Sequence, residues 1–367
     1  MIRLLHAADL HLDSPFQALS REKARQRREE QRALLGRIAQ AARERKADLA
    51  VFAGDLFDSE NIYSDTGRIL EEVLSTMDIP VFIAPGNHDW YGPRSAWTRL
   101  RFRENVHLFR TPEITSVDLP ALGARVWGTA FTGKHRTPPL MDFEAEKDGD
   151  TVDILVLHGE VGNPASPYGA VTEEQLRRSG MDYVALGHVH SAGGLRRAGD
   201  TFYAWPGCPE GRGFDETGEK GVLLAELLPG ECRTEFLPMA GRRYEILSLA
   251  MPEAGGADAL AARLPRDTEK DIYRLILTGQ TDAAPDLEAL KRALEGRFFS
   301  LELKDETERG RDIWAERGRD SLKGLFLERL WRQLQATPGP AGRERILRAA
   351  RYGLAAMENG EEPPLSG

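Results

Sequence analysis

The sequence is poor in cysteine, in long apolar runs and in net positive charge. Cys208 and Cys232 are the only cysteines among 367 residues, too few for a disulfide framework and in keeping with a reducing cytoplasm. No apolar stretch approaches the roughly 20 residues needed to cross a bilayer. The N-terminal residues enter a strand-like pattern directly, so we expect no signal segment. The sequence therefore predicts a cytoplasmic protein with no membrane partner.

The formal net charge is −9. Because non-specific affinity for nucleic acid comes mainly from neutralising phosphates, this balance argues against a protein that coats nucleic acid through bulk charge. Residues 21–46 are an exception, with ten Lys or Arg and four Glu. Such a run indicates either a solvated helix face or a local basic surface, and we favour the solvated face.

Short apolar, β-branched runs alternate with helix-like segments through the first half of the chain. The strand-like runs are residues 4–8, 49–53, 81–84, 126–129, 154–157 and 183–186. Residues 21–46 and 65–77 carry apolar side chains at helical spacing. This alternation predicts an α/β fold in which helices cover a sheet core.

The pattern changes after about residue 223. Strand-like runs and helix-like segments then form a small α/β unit, with strands at 244–250, 272–278 and 298–303 and helices at 257–264 and 287–294. Two amphipathic helices follow at 322–334 and 341–357. We therefore predict three domains, at residues 1–240, 241–308 and 309–367.

Five short polar motifs come directly after strand-like runs. In chain order they are Asp9-Leu10-His11, Gly54-Asp55-Leu56-Phe57-Asp58, Gly86-Asn87-His88-Asp89, His158-Gly159-Glu160 and Gly187-His188-Val189-His190. Ligands of open α/β sheets collect at the carboxyl ends of strands, so we expect these loops to share one crevice. A single histidine after a strand is more often structural than a ligand, but five of the chain's eight histidines lie in these motifs.

The mixture of carboxylate, amide and imidazole groups suits Mn²⁺, Fe²⁺ or Zn²⁺. Two ions about 3.5–4 Å apart need a carboxylate that both can share. Gly54, Gly86 and Gly187, which begin three of the motifs, allow the sharp turns that would bring the neighbouring side chains close to an ion. The set as a whole therefore predicts a two-metal site.

The ordered pattern D-x-H, GDxxD, GNHD, H and GHxH resembles the signature of the calcineurin-like metallophosphoesterases. That resemblance implies a four-layer αββα sandwich. It also implies seven metal ligands: Asp9, His11 and His190 for one ion, Asn87, His158 and His188 for the other, and Asp55 bridging both. We expect two divalent ions, Mn²⁺ first, with Fe²⁺ and Zn²⁺ as alternatives.

The resemblance also implies a reaction. Two cations would polarise the phosphoryl oxygens and lower the pKa of a bridging water, giving a hydroxide that attacks phosphorus in line. His88 would face the substrate phosphate as a general acid that assists the leaving group or as a transition-state contact, with a structural role as its alternative. Asp58 stands where archaeal and eukaryotic nucleases of this family carry a histidine, and it matches the pattern in which an aspartate orients the catalytic histidine. We therefore predict that Asp58 pairs with His88.

The finer resemblance is to the SbcD branch of bacterial DNA-repair nuclease subunits, of the Mre type, and to its YhaO relatives. Residues 5–16 and 206–216 carry it. Residues 241–308 resemble a DNA-capping domain in order and pattern only, and the final helices resemble, more loosely, a segment that docks an SMC-like ATPase. The resemblance thus implies a DNA phosphodiesterase in repair, with DNA and an SMC-like ATPase as partners and a homodimer left open.

Two other functions stay open. One is a phosphoesterase that acts on nucleotides or phosphoproteins, which the acidic charge favours and the long extension after residue 240 disfavours. The other is a mainly structural subunit of an ATPase complex, which the complete ligand set argues against. The final helices could equally form an ordinary core-packing hairpin.

Overall fold

The computed structural model describes residues 1–137, 139–147, 149, 151–251, 256–281, 284–309 and 313–359. These residues form two compact units. The described part of the first falls within Met1–Ile246, Asp267–Arg274 and Gly296–Leu301. The described part of the second falls within Leu247–Arg266, Leu275–Glu295 and Glu302–Gly367.

The first twelve strands lie in the first unit. They are β1 (Ile2–Ala7), β2 (Leu49–Phe52), β3 (Val81–Ile83), β4 (Val106–Leu108), β5 (Thr115–Leu119), β6 (Ala124–Gly128), β7 (Val152–His158), β8 (Tyr183–Gly187), β9 (Arg196–Ala198), β10 (Thr201–Ala204), β11 (Gly221–Leu228) and β12 (Glu231–Pro238). The helices of this region are α1 (Arg21–Glu44), α2 (Ser64–Ser75) and α3 (Glu173–Arg178), with short 3-10 turns at Ala96–Thr98 and Pro120–Leu122.

These strands form two six-stranded sheets. The first has the order β12-β11-β1-β2-β3-β4 and the second the order β5-β6-β7-β8-β10-β9. Strands β1 to β4 run parallel to one another, as do β6, β7 and β8. The carboxyl ends of each parallel set therefore meet at one edge of its sheet, which is where the predicted site motifs lie.

The two sheets pack face to face through a shared apolar core. Its buried members include Leu4, Val51 and Phe82 from the first sheet and Val126, Ile154 and Tyr183 from the second. Helices α1 and α2 cover the outer face of the first sheet, and α3 packs on the second through Leu176. This arrangement of layers confirms the predicted αββα sandwich.

Helix α1 both covers the sheet and supports the first motif. It begins after Ser20, whose side chain accepts a hydrogen bond from the main-chain N–H of Lys23. Leu34 and Ile38 lie four residues apart and are buried on its inner face. One turn before Leu34, the buried Gln31 amide donates to the main-chain carbonyl of His11 at 3.1 Å. The helix therefore fixes the loop that carries two predicted metal ligands.

Strands and helices beyond β12 follow the predicted order. They are β13 (Tyr244–Ala250), α4 (Gly256–Ala261), β14 (Ile272–Thr278), β15 (Gln280–Thr281), α5 (Leu287–Ala293), β16 (Ser300–Asp305), β17 (Glu308–Arg309), α6 (Leu322–Ala336) and α7 (Pro340–Asn359). One sheet has the order β13-β14-β16, and β15 pairs in parallel with β17. None of the helices in the described part of the chain has the length and apolar content of a membrane span.

The predicted division into domains at residues 240 and 308 stays a prediction. Parts of the predicted second and third domains, residues 252–255, 282–283, 310–312 and 360–367, lie outside the described residues.

Candidate metal centre

The seven predicted ligands lie on five segments at the carboxyl ends of parallel strands. Asp9 and His11 follow β1, Asp55 follows β2, Asn87 follows β3, His158 ends β7, and His188 and His190 follow β8. The segments are joined by hydrogen bonds between them. The main-chain N–H of His188 donates to the Asp9 carboxylate at 2.9 Å, and that of His88 donates to Oδ1 of Asp55 at 2.9 Å. The predicted loops therefore converge on one site.

Asp55 lies between two groups of ligands. Its Oδ2 is 3.8 Å from Nε2 of His11 and 3.3 Å from Nε2 of His158. On the first side, Nε2 of His11 is 3.2 Å from Nε2 of His190. On the second, Nε2 of His158 is 3.0 Å from Oδ1 of Asn87. This is the arrangement expected if Asp55 serves two ions at once.

Asp9 and His188 complete the two groups. The ligand atoms of Asp9, His11 and His190 all lie within 4.8 Å of one another. His188 packs edge-on against His158, with ring centroids 5.3 Å apart. All seven predicted ligands are thus brought together.

Contacts behind the histidines set which ring nitrogen faces the centre. Nδ1 of His158 donates to the main-chain carbonyl of Ala53 at 2.9 Å, and Nδ1 of His190 donates to the Glu216 carboxylate at 2.7 Å. Nδ1 of His11 lies 3.3 Å from Oδ1 of Asp58. Each contact leaves Nε2 as the ring nitrogen that faces the centre, the orientation of metal-bound histidines.

The Nε2 atoms of His11 and His190 therefore face each other at 3.2 Å. Such a pair needs a proton or a metal cation between the two lone pairs. Asp9 and Asp55 are also fully buried beside them, and buried carboxylates need a cationic partner. The residues present fit two divalent cations.

Burial and neighbouring charges shift the pKa values of the site residues in both directions. Burial lowers the pKa of His11 and of His188 to about 4, so both rings are neutral at pH 7. Burial also lowers the pKa of His158, but the charge of Asp55 and their hydrogen bond outweigh it and raise that pKa to about 9. Burial raises the pKa of Asp9 to about 6. The pKa of Asp55 is held well below its usual range, because the charge of His158 overcomes the effect of burial.

Four of the predicted ligands have a left-handed backbone conformation. Their φ angles are 54° at Asp9, 44° at His11, 51° at Asp55 and 89° at His188. Such angles are uncommon outside glycine, and each costs about 1–3 kcal/mol unless the surroundings enforce it. Main-chain hydrogen bonds enforce it here, for example from Asp9 N–H to the Gly54 carbonyl at 3.0 Å. Nothing in the sequence pattern indicated this strain.

The motif glycines are required by close packing. A Cβ at Gly86 would collide with the Asp55 carboxylate, and one at Gly187 with the main-chain carbonyl of Ala53. At Gly54, where φ is 90°, a Cβ would meet the His158 ring. The absence of a side chain at these positions lets the ligand loops pack directly against one another, a requirement beyond the sharp turns expected from the sequence.

His88 and Asp58 meet, but through a different contact from the one predicted. Nδ1 of His88 lies 3.0 Å from the main-chain carbonyl oxygen of Asp58. The carboxylate of Asp58 is directed instead at His11, with Ser14 donating to it at 3.1 Å and Arg212 at 2.9 Å. His88 is exposed, and its ring lies edge-on to His11 with centroids 4.8 Å apart.

Three residues around the centre had no predicted role. The carboxylate of Asp89 is buried and accepts hydrogen bonds from the N–H groups of Gly86 at 2.7 Å and Leu56 at 2.8 Å. It therefore joins the second and third motifs, and burial raises its pKa to about 7. Glu216 and Arg212 lie behind the ligand histidines. Their signal in the sequence was their place in residues 206–216, which resemble the SbcD and YhaO proteins.

The chain is similar to known proteins of one family. The family description "Calcineurin-like phosphoesterase" matches residues 2–192, which contain all seven predicted ligands and His88. The chain is 31% identical over 337 residues to "Uncharacterized metallophosphoesterase YhaO" of Bacillus subtilis (strain 168), covering 86% of this chain and 81% of that protein. It is 28% identical over 284 residues to the SbcD component of nuclease SbcCD of the same organism, covering 66% and 71%.

Among solved structures, a dimetal phosphatase from Danio rerio matches with a TM-score of 0.41 and 14% identity, over 62% of this chain and 92% of that one. That match is too remote to carry an argument. The family match and the similarity to YhaO and SbcD identify a hydrolase, a metal-dependent phosphodiesterase. The chain belongs to the calcineurin-like phosphoesterases.

Proposed function

We propose that the chain is a two-metal DNA phosphodiesterase of DNA repair. The observation that carries this is the position of Asp55, whose Oδ2 lies 3.8 Å from His11 and 3.3 Å from His158, between the two groups of ligands. In the proposal one ion is held by Asp9, His11 and His190, the other by Asn87, His158 and His188, and both by Asp55. Mn²⁺ is the preferred ion, with Fe²⁺ and Zn²⁺ as alternatives.

When bound, the two cations supply Lewis acidity towards the phosphoryl oxygens and a lowered pKa for water. The residues of the chain contribute orientation and proton transfer. His88 is exposed beside His11, and its Nδ1 lies on the main-chain carbonyl of Asp58. Its Nε2 is therefore the nitrogen that donates a proton to the leaving oxygen. Asp58 positions both histidines, His88 through its carbonyl and His11 through its carboxylate.

DNA is the substrate in this proposal because of the similarity to a nuclease component over 71% of that protein's length. The extension beyond the site region also supports it, because an enzyme for small molecules would not need one. The net charge of −9 counts towards the alternative, an enzyme acting on nucleotides or phosphoproteins.

The test is a substrate panel with Mn²⁺. Linear duplex, hairpin and single-stranded DNA would be compared with nucleotides and a phosphopeptide, using His88→Ala as the inactive control. Cleavage of DNA by the wild type, lost in His88→Ala, supports the proposal. Turnover of nucleotides or phosphopeptide with intact DNA would replace it with the alternative.

We also propose that residues 309–367 dock an SMC-like ATPase in the cytoplasm. In α6, Leu327 and Leu334 are buried, whereas Leu322 is 77% exposed and Leu325 is 66% exposed. Two neighbouring exposed leucines on a helix are suited to a partner helix.

Co-purification with a co-expressed SMC-like ATPase tests the docking proposal. Leu322→Asp/Leu325→Asp should abolish it, while the control Arg351→Asp, on the exposed part of α7, should retain it. Hydrolysis of a simple phosphodiester should be unchanged in both variants. Retained co-purification of the leucine variant would place the contact elsewhere, and a dimer of the chain that the leucine variant disrupts would favour a homodimer instead.

A further inference from the structure

The segment 206–216 has no role in the proposed reaction, yet its Glu216 contacts one ligand histidine and its Arg212 contacts the carboxylate behind another. Nη1 of Arg212 lies 2.9 Å from Oδ1 of Asp58, and Nη2 lies 2.6 Å from Oε1 of Glu216. Asp58 is the carboxylate behind His11, at 3.3 Å, and Glu216 is the carboxylate behind His190, at 2.7 Å. One guanidinium therefore joins the two carboxylates that contact these histidines.

We infer that Arg212 is a positioning residue for one of the two metal sites, the one formed by Asp9, His11 and His190. It acts through Asp58 and Glu216, which it holds against Nδ1 of each histidine. The inference rests on the proposed assignment of His11 and His190 to the same ion.

The geometry requires a guanidinium in particular. Oε1 of Glu216 accepts from both Arg212 and His190, at 2.6 and 2.7 Å, which explains why Nη2 of Arg212 lies only 3.1 Å from Nδ1 of His190. Arg212 spans this carboxylate and that of Asp58 with its two terminal nitrogens. A planar fork can do so with a fixed separation, whereas the ammonium group of lysine is a single point of charge.

Arg212 is itself held in place by helix α1. Arg27 of that helix is fully buried, and it donates to the main-chain carbonyl of Gly211 at 3.0 Å and to Oε1 of Glu210 at 2.6 Å. The main-chain N–H of Arg212 donates to Oε2 of Glu216 at 2.8 Å. The backbone on both sides of the guanidinium is thus fixed, as positioning of a ligand demands.

The effect of changing Arg212 on metal affinity should be confined to one of the two metal sites. On the other side of Asp55, Nδ1 of His158 donates to the main-chain carbonyl of Ala53 at 2.9 Å. A change at Arg212 leaves that contact untouched. Mutation of residues that orient metal ligands typically lowers metal affinity by about 10–100-fold, so the affinities of the two sites should diverge in an Arg212 variant.

Arg212 could instead bind the substrate phosphate. Its side chain is only 19% exposed, and its Nε, Nη1 and Nη2 all lie within hydrogen-bonding distance of carboxylate oxygens. The guanidinium is therefore directed at Asp58 and Glu216. A phosphate contact would raise KM and leave metal affinity unchanged, which gives a clear distinction.

The test is a Mn²⁺ titration of the metal-free full chain by calorimetry and electron paramagnetic resonance. Arg212→Met and Arg212→Lys would be compared with wild type and with Arg125→Met. Arg125 is a matched control because it pairs with Asp118 at 2.7 Å on the β5–β6 hairpin and is 23% exposed, away from the ligand loops.

Wild type and Arg125→Met should bind two ions. Arg212→Met should keep one site at wild-type affinity and weaken the other by at least about tenfold, with Arg212→Lys in between. If Arg212→Met fails to fold, Glu216→Gln should show the same one-site loss.

The inference would be overturned if Arg212→Met bound Mn²⁺ with wild-type affinity at both sites, or if both sites were weakened equally. So would a raised KM with an unchanged titration. If wild type itself binds fewer than two ions, the proposed function fails, and the two failures are distinguished by the wild-type curve alone.

Discussion

Nη1 of Arg27 lies 2.6 Å from Oε1 of Glu210, and both side chains are fully buried. The Glu210 carboxylate also accepts from Arg37 of the same helix, at 3.1 Å. These contacts join α1 to the segment that carries Arg212. Removing one partner from a buried ion pair typically costs about 3–5 kcal/mol, and removing Arg27 would leave the Glu210 carboxylate with Arg37 as its remaining partner.

Arg27→Met should therefore lower the free energy of unfolding by about 3 kcal/mol, the lower end of that range, because Arg37 still pairs with Glu210. Arg25→Met is the control, because Arg25 pairs with Glu29 at the surface, where the two side chains are 79% and 53% exposed. That change should cost less than about 1 kcal/mol. Urea denaturation of the metal-free proteins measures both. Similar values for the two variants would show that the buried pair is not a stabilising contact.

Helix α1 also shows which structural features the sequence pattern could predict and which it could not. The spacing of Leu34 and Ile38 was enough to predict the helix and its apolar face, because that information is local. It could not tell which of the eight basic residues of α1 point inwards. Arg27 and Arg37 meet Glu210, more than 170 residues away along the chain, and such pairs depend on the folded topology.

The same distinction between local pattern and non-local contact applies to the metal centre. The convergence of the predicted ligands could be expected because they follow strands whose carboxyl ends meet, whereas their assignment as ligands came from the family resemblance and stays a prediction. The partner of the Asp58 carboxylate could not, because whether it turns to His88 or to His11 is decided by side-chain orientation and by the non-local contact with Arg212. The left-handed backbone at the predicted ligands is fixed by contacts between loops, so it could not be predicted from the sequence pattern either.

His88→Ala should abolish most hydrolysis while both ions remain bound. The exposed ring sits beside the centre on the Asp58 carbonyl, and loss of a general acid typically lowers the rate by about 10²–10⁴-fold. Steady-state kinetics on a simple phosphodiester and metal analysis of the purified variant measure the two properties. His107→Ala, outside the motifs, is the control and should keep its activity. Loss of metal from His88→Ala would make His88 a ligand.

His6 should make stability depend on pH independently of the metal. It is fully buried, donates from Nε2 to the Leu186 carbonyl at 3.1 Å and accepts at Nδ1 from the Tyr183 hydroxyl at 3.0 Å. Burial lowers its pKa from 6.5 to about 3. The unfolded chain therefore takes up a proton at a higher pH than the folded chain does. The stabilisation is complete above about pH 6.5 and is lost as the pH falls towards 3.

Between pH 7 and pH 5 this one group should lower the free energy of unfolding by about 2 kcal/mol. His6→Gln keeps hydrogen-bonding capacity without titrating, so its curve should lack that component. Urea denaturation of both proteins in excess chelator, at a series of pH values, isolates the difference because the other groups are common to both. Parallel curves for the two proteins would mean that His6 does not titrate on unfolding in this range.

The position of Asp55 between two ligand groups is tested most directly by titrating Mn²⁺ into the metal-free chain while hydrolysis of a simple phosphodiester is followed. Two ions should bind per chain, and activity should appear with the second. Asp55→Ala should lose affinity at both sites, because its carboxylate lies between His11 and His158. Full turnover in excess chelator, or saturation of activity by a single ion, would contradict the two-metal centre.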